Sequence, residues 1–237
     1  MGAVLRSLFW KEWHEHRWKV LFGSVLVAGC AAIGLKTRIL PDEAILVFYA
    51  LGAAFLLPIL AAMDLVAAER ADGSLNTLIS MPVRPSVVLA VKLAVASFVC
   101  IVPQAAGMLA SMLMAGGREL PMSSFIGAFA GCTAVSLCLL IWTAGFSIRQ
   151  ASEARAALIG LAVIVLWFGV GVTGETVLRL PAEWFFMVIT PLGFLDAASF
   201  DRVRESLPLT IVAQVIIAAG LFAWAASRLG RPGRTRA

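Results

Sequence analysis

Three ionisable side chains lie beside long apolar runs, where a charge is costly: Asp64, Glu69 and Lys92. An Asp or Lys at the centre of a membrane helix costs about 2.5–3.5 kcal/mol, so such residues are kept for a contact or a function. Asp64 falls near the end of one apolar run and Lys92 near the start of the next. We predict an ion pair between Lys92 and either Asp64 or Glu69. The alternative is two side chains that extend separately to the membrane surface.

Two amide side chains fall in the middle of apolar runs, Gln104 beside Pro103 and Gln214 near the C-terminus. An amide at membrane depth either bonds a neighbouring helix or lines a substrate path. We favour the helix-bonding interpretation for both.

Catalytic motifs are missing from the sequence. It contains no G-x-x-x-x-G-K-[ST], no H-E-x-x-H, no G-x-S-x-G, and no pair of intramembrane carboxylates with a histidine. His14 and His16 are two positions apart, so on a helix they point in different directions and are not expected to bind a metal ion. We therefore predict a non-catalytic chain that binds no cofactor and no metal.

The composition is that of a membrane protein. The 237 residues are 61% hydrophobic and 14% charged, whereas soluble domains are about 45–50% apolar and about 25% charged. The net charge of +5 comes from basic residues clustered at the ends of segments, which indicates membrane topology and no nucleic-acid binding. The four cysteines lie in apolar runs without metal-ligand spacing and are expected to be packing residues.

The apolar runs predict an all-α, polytopic membrane protein. A spanning helix needs about 20 apolar residues, and the predicted spans are 20–35, 44–68, 87–115, 123–148, 156–174 and 207–226. Residues 1–19 mix tryptophans with basic residues and predict a separate interfacial helix at the membrane surface.

Lysine and arginine predict the orientation. With the N-terminus inside, thirteen basic residues lie on the cytoplasmic side and six on the other side. This asymmetry predicts a multi-pass protein of the cell (plasma) membrane with both termini in the cytoplasm. The same orientation puts residues 69–86, here called the 69–86 segment, in the cytoplasm.

The 69–86 segment is a polar stretch between two strongly apolar runs. Leu75, Leu78 and Ile79 are at helical spacing between Gly73 and Pro82. We predict a short amphipathic helix whose apolar face binds a second protein.

This segment resembles the E-x-x-x-G-[ST]-L-x-x-L-[LI]-x-x-P-V…G-K pattern of permease subunits of type-2 ABC exporters. The resemblance identifies candidate ATPase-coupling residues: Glu69, Gly73, Ser74, Leu75, Leu78, Ile79, Pro82 and Arg84. In that family the segment is the coupling helix, which docks on a separate ATPase subunit, and the chain begins with a surface elbow helix. The resemblance implies cytoplasmic ABC ATPase partners that bind the ATP and Mg, and a homodimer or a heterodimer with a related permease. Membrane lipids would surround this assembly.

The last exterior loop, 175–206, contains an apolar stretch at 181–190 that is too short to cross a membrane. It predicts a re-entrant or surface helix. The stretch that follows it resembles one that the family carries before its last span, with Pro191, Leu192 and Asp196 as candidate exterior-gate residues. A partial plug over the pathway and a helix that only seals the outer rim are equally compatible with this sequence.

These features predict the membrane-spanning permease subunit of an ABC exporter, driven by ATP hydrolysis in another chain. The few polar groups within the spans favour an amphipathic or lipid-like cargo. The alternatives are a membrane-embedded enzyme or sensor module without an ATPase, and a secondary carrier. The first would need a polar cluster at one membrane depth, and the second a charge near the midplane.

Overall fold

A computed structural model of the chain describes residues 2–37, 42–63, 65, 69–71, 83–114, 122–148, 150, 152–176, 190–195 and 207–229. These residues form helices and turns, and no strand occurs among them. The helices are α1 Gly2–Thr37, α2 Asp42–Met63, α3 Pro85–Met114, α4 Met122–Ser147, α5 Glu153–Thr176 and α6 Leu207–Leu229. A single helical turn, Glu69–Ala71, lies between α2 and α3.

Five stretches of helix are long and apolar enough to cross a membrane: Val4–Thr37, Pro85–Met114, Ile126–Ser147, Glu153–Val170 and Leu207–Leu229. In α2, the residues Leu51–Met63 form a shorter apolar stretch. The predicted all-helical class is confirmed for the described part of the chain, and five such helices indicate a multi-pass membrane protein. Six spans stay a prediction.

The predicted limits of the last four spans lie within three residues of the limits of α3 to α6. The predicted span 44–68 begins in α2, and its residues 64 and 66–68 lie outside the described residues.

The N-terminal region differs from the prediction, because residues 1–19 do not form a helix separate from the first span. Helix α1 is uninterrupted over 36 residues, a length of about 54 Å at about 1.5 Å per residue. No glycine or proline occurs between residues 3 and 22 to break it. Leu8, Glu12 and His16 are buried at a spacing of four residues, so one stripe of this N-terminal half packs inside the protein.

Helices α1 and α3 run parallel, and partners along them keep the same separation in sequence. Leu8 packs with Val88, Glu12 contacts Lys92, and a Cβ on Gly23 would lie 3.1 Å from Pro103 Cγ. Each partner is 80 positions after its counterpart. The first half of α1 therefore lies beside the first half of α3.

Helices α2, α3 and α4 form the middle of the bundle. Helix α1 packs mainly on α3, α5 packs on α2 and α4, and α6 packs on α4 and α3. The main apolar core is built from α1, α2, α3, α4 and α6 around Leu57, Val99 and Leu140. A second cluster joins α4 to α5 around Leu139 and Trp167.

The outer faces of α1, α5 and α6 carry large apolar side chains that the protein does not cover. Examples with at least half of the surface exposed are Phe22, Leu26, Leu158, Val165, Val215 and Ile216. Soluble monomers rarely expose continuous apolar patches of this kind. These faces are consistent with contact to lipid.

Candidate functional site

Four charged side chains of alternating sign form a closed ring where α1, α3 and the Glu69–Ala71 turn meet. Lys92 Nζ lies 2.8 Å from Glu12 Oε1 and 2.9 Å from Glu69 Oε1. Lys11 Nζ lies 2.7 Å from the same Glu69 oxygen and 3.6 Å from Glu12 Oε1. We call Lys11, Glu12, Glu69 and Lys92 the ionic ring.

Most of the ionic ring is buried. The side chains of Glu12, Lys92 and Glu69 are 1%, 2% and 8% exposed, while that of Lys11 is 40% exposed. Buried charges are tolerated when they are paired and hydrogen-bonded. Each of the four groups has an opposite charge on both sides in the ring. Outside the ring, Glu15 Oε1 lies 3.4 Å from Lys11 Nζ, and its side chain is half exposed.

Three elements supply the ring. Lys11 and Glu12 are consecutive residues of α1, Lys92 lies two turns into α3, and Glu69 is the first residue of the Glu69–Ala71 turn. Next to Glu69, Arg70 donates from its guanidinium to the Ile148 carbonyl at the end of α4, at 3.0 Å. The start of the 69–86 segment is thus bonded to α1, α3 and α4.

The other end of the 69–86 segment rests on the same two helices. Val83 is partly buried and packs against Leu8 of α1 and Val88 of α3. Arg84 is exposed, and its carbonyl accepts the N–H groups of Val87 and Val88, which closes the first turn of α3. Both described ends of the segment are therefore attached to the α1–α3 pair.

The coupling residues between these ends lie outside the described residues: Gly73, Ser74, Leu75, Leu78, Ile79 and Pro82. Their predicted amphipathic helix stays a prediction.

The predicted contact between Lys92 and Glu69 is present, whereas Asp64 lies outside the described residues. Sequence reasoning missed Glu12, because it placed residues 1–19 in a separate interfacial helix at the membrane surface. One signal could have revealed it. Leu8, Glu12 and His16 recur every four residues, which puts them on one face.

Gln104 bonds neighbouring helices, as the favoured interpretation predicted. Its amide donates to Ser136 Oγ, and its carbonyl accepts from Thr133 Oγ1 at 3.0 Å, both on α4. Ser136 Oγ also lies 3.1 Å from the Ala54 carbonyl of α2. This polar group therefore joins α2, α3 and α4 at one level. Gln214 is buried on α6.

Two of the three candidate exterior-gate residues, Pro191 and Leu192, lie in a short turn that packs on α4 and α5. Thr190 and Pro191 are buried. Leu192, with Phe194 and Leu195, packs against the cluster that contains Trp167. Asp196 lies outside the described residues. Both roles considered for this region, a partial plug over the pathway and a helix that only seals the outer rim, stay predictions.

The two histidines of α1 do not come together, since His14 is exposed and His16 is buried. Glu12, Glu15 and His16 do place one ligand atom each within 4.8 Å of one another. However, Glu12 Oε1 is already the partner of Lys92 and Lys11, and two ammonium groups at this position oppose a cation. The absence of a metal site stays a prediction.

Comparison with known proteins adds no family to this geometry. No protein-family model matches the chain, and no curated protein sequence matches it.

Proposed function

We propose that this chain is the membrane-spanning permease subunit of an ABC exporter. A separate ATPase would drive it by acting on the 69–86 segment. One observation carries the proposal. Both described ends of that segment are attached to the α1–α3 pair, at one end by the ionic ring and at the other by Val83. A segment anchored at both ends can transmit a push to the helices that hold it, which a loose connector cannot do.

The anchoring uses buried charge, and this supports a mechanical role. A connector that only links two helices needs no ion pair, and burying Glu12, Glu69 and Lys92 carries a desolvation penalty of several kcal/mol per ion, roughly, before pairing. We infer that the ring serves to fix the geometry of this contact. The start of the 69–86 segment is held in one position relative to three helices.

In this proposal the assembly contains two permeases and two ATPases. Six helices are too few to enclose a wide path alone, so two copies, or one copy and a related permease, would face each other within the lipid. ATP and Mg would bind the ATPases, on the cytoplasmic side of the plasma membrane with both termini of this chain. Closure of the ATPases would displace the 69–86 segment and switch the helices between inward-open and outward-open states.

We infer the cargo class from the composition of the helices. Gln104 and Ser136 are buried at mid-bundle and bond to each other, and the main core cluster is apolar. An amphipathic or lipid-like molecule suits such surroundings better than a sugar or a metal ion.

The two alternatives fit the described residues less well. A membrane-embedded enzyme or sensor needs a polar cluster that can reach a substrate. The cluster of Gln104, Ser136 and Thr133 is bonded within itself, and the ionic ring pairs its own charges and leaves only Lys11 substantially exposed. A secondary carrier would use a charge near the midplane. The buried charged residues of the described part, Glu12, Glu69 and Lys92, all lie together at one end of the bundle.

The test is co-purification. The chain is co-expressed with a candidate ABC ATPase subunit, and Leu75→Asp/Leu78→Asp is compared with Thr77→Asp, which lies on the opposite side of the predicted helix. We expect the double variant to lose the ATPase and its stimulated ATP turnover, and the control to keep both. Unchanged binding and turnover in the double variant would remove the coupling assignment.

A further inference from the structure

The ionic ring contains more than the pair that anchors the 69–86 segment. Lys92 and Glu69 would make an ion pair by themselves, but α1 places Lys11 against Glu69 and Glu12 against Lys92. Because Lys11 and Glu12 are neighbours in sequence, one turn of α1 holds both members of the pair. The N-terminal half of α1 therefore participates in the contact between the 69–86 segment and the bundle.

The contacts of α1 continue from the ring into the bundle. Gly23 lies 11 residues after Glu12, about 16 Å further along the helix, and meets Pro103 on α3. Gln104, next to Pro103, bonds Ser136 and Thr133 of α4. The α1–α3 pair thus has a charged contact with the segment at one end and polar contacts with α4 further along.

We propose that Lys11 and Glu12 are positioning residues for energy coupling, holding Glu69 so that a displacement of the 69–86 segment moves α1 and α3 as one unit. This inference rests on the proposed function. It assigns to the N-terminal half of α1 a role in transmission, in addition to any contact with the membrane surface. Glu12 acts through Lys92 and touches neither cargo nor nucleotide.

The alternative is that Glu12 only stabilises the fold by pairing with Lys92. The two roles are separable, because replacing both members of a buried ion pair by apolar residues of similar size is often neutral for stability. In Glu12→Leu/Lys92→Met, Glu69 keeps Lys11 as its partner. This double variant removes the charged contact between α1 and α3 and, with it, the ion pair between Lys92 and Glu69.

The experiment compares four purified complexes of the chain with its ATPase: wild type, Glu12→Gln, Glu12→Leu/Lys92→Met, and Glu15→Gln. Glu15 is the matched control, since it is on the same helix, contacts Lys11 and is half exposed. Three quantities are measured for each complex: the ATPase retained on purification, the thermal midpoint in detergent, and the stimulation of ATP turnover relative to the isolated ATPase.

We expect Glu12→Gln to retain the ATPase, but its stimulation of ATP turnover should fall about fivefold or more. Fivefold is the lower end of the range for coupling between sites. The double variant should have the wild-type thermal midpoint, while its stimulation of ATP turnover stays low. Glu15→Gln should behave as wild type.

Recovery of stimulation together with stability in the double variant would assign Glu12 a structural role only and overturn the proposal. So would wild-type stimulation in a Glu12→Gln complex. A wild-type chain that retains no ATPase overturns the proposed function itself, and this inference with it. If Glu12→Gln does not fold, the double variant alone decides between the two roles.

Discussion

Lys92 Nζ lies 2.8 Å from Glu12 Oε1, although 80 positions separate the two residues. The same separation relates Leu8 to Val88 and Gly23 to Pro103. A constant separation means that α1 and α3 run parallel without a shift between them. The ion pair is one point of a longer interface, and it lies where the 69–86 segment begins.

Loss of Lys92 should be strongly destabilising. Lys92→Met leaves Glu12 buried with only Lys11, at 3.6 Å, as a charged partner. Removing one member of a buried pair costs about 3–5 kcal/mol, and we expect a loss of that size in the free energy of unfolding in detergent. Lys36→Met, at the exposed end of α1, should change it by less than about 0.5 kcal/mol. Equal stability of the two variants would contradict the burial of the ring.

Charge reversal should distinguish a ring from independent pairs. Exchanging Glu12 and Lys92 alone would put a glutamate at 92 beside Glu69, so like charges would meet. Reversing all four members restores the alternation of sign at every contact. We therefore expect the two-residue exchange to remain destabilised and the four-residue reversal to recover part of the thermal midpoint. Full recovery by the two-residue exchange would show that Glu69 is not a member of the ring.

Gly23 should be needed for the close approach of α1 to α3. A Cβ at this position would lie 3.1 Å from Pro103 Cγ, which is closer than ordinary van der Waals contact. We expect Gly23→Val to separate the helices and to cost about 1–3 kcal/mol, the usual range for overpacking. Gly29 is on the same helix, and a Cβ there would meet no neighbouring atom within 4 Å, so Gly29→Val is the control and should be tolerated. Unfolding in detergent measures both variants, and equal losses would count against this contact.

The bond between Gln104 and Ser136 should be measurable by a double-mutant cycle. Such bonds between membrane helices are worth about 0.6 kcal/mol on average and at most about 1.7 kcal/mol. We expect Gln104→Leu and Ser136→Ala to be coupled within that range in unfolding measurements. Gln104→Leu and Ser227→Ala should be additive, since Ser227 is exposed on α6 and donates to the Trp224 carbonyl of the same helix. If the effects are additive in both cycles, the helix-bonding role of Gln104 is contradicted.

The orientation of the chain in the membrane can be measured directly. Thirteen basic residues against six predict that both termini are cytoplasmic. Reporter fusions at the N-terminus, at the C-terminus and within 175–206 should therefore report inside, inside and outside. Termini on opposite sides would rule out an even number of spans. If the N-terminus lies outside the cell, the 69–86 segment lies outside as well, where it cannot contact a cytoplasmic ATPase.

The all-helical class and the limits of most helices could be predicted from the sequence, for a local reason. Whether a run such as 87–115 is apolar over a membrane's thickness depends on its own residues, and α3 begins and ends within two residues of that run. Polar side chains at membrane depth must find partners, so the helix-bonding role of Gln104 could also be predicted. The identity of the serine and the threonine that Gln104 bonds could not be predicted from the sequence.

The site depended on contacts that no local pattern contains. Glu12 has the same immediate surroundings in sequence whether its helix lies on a membrane surface or beside α3. Only the parallel packing of α1 on α3 brings Lys92 to its carboxylate and buries both. The sequence by itself determined that Lys92 lies beside an apolar run, where an isolated charge is costly, and it left open an ion pair or extension to the membrane surface. The tertiary structure decided that the partners are Glu69 and Glu12, because the distance between helices depends on how all their side chains pack together.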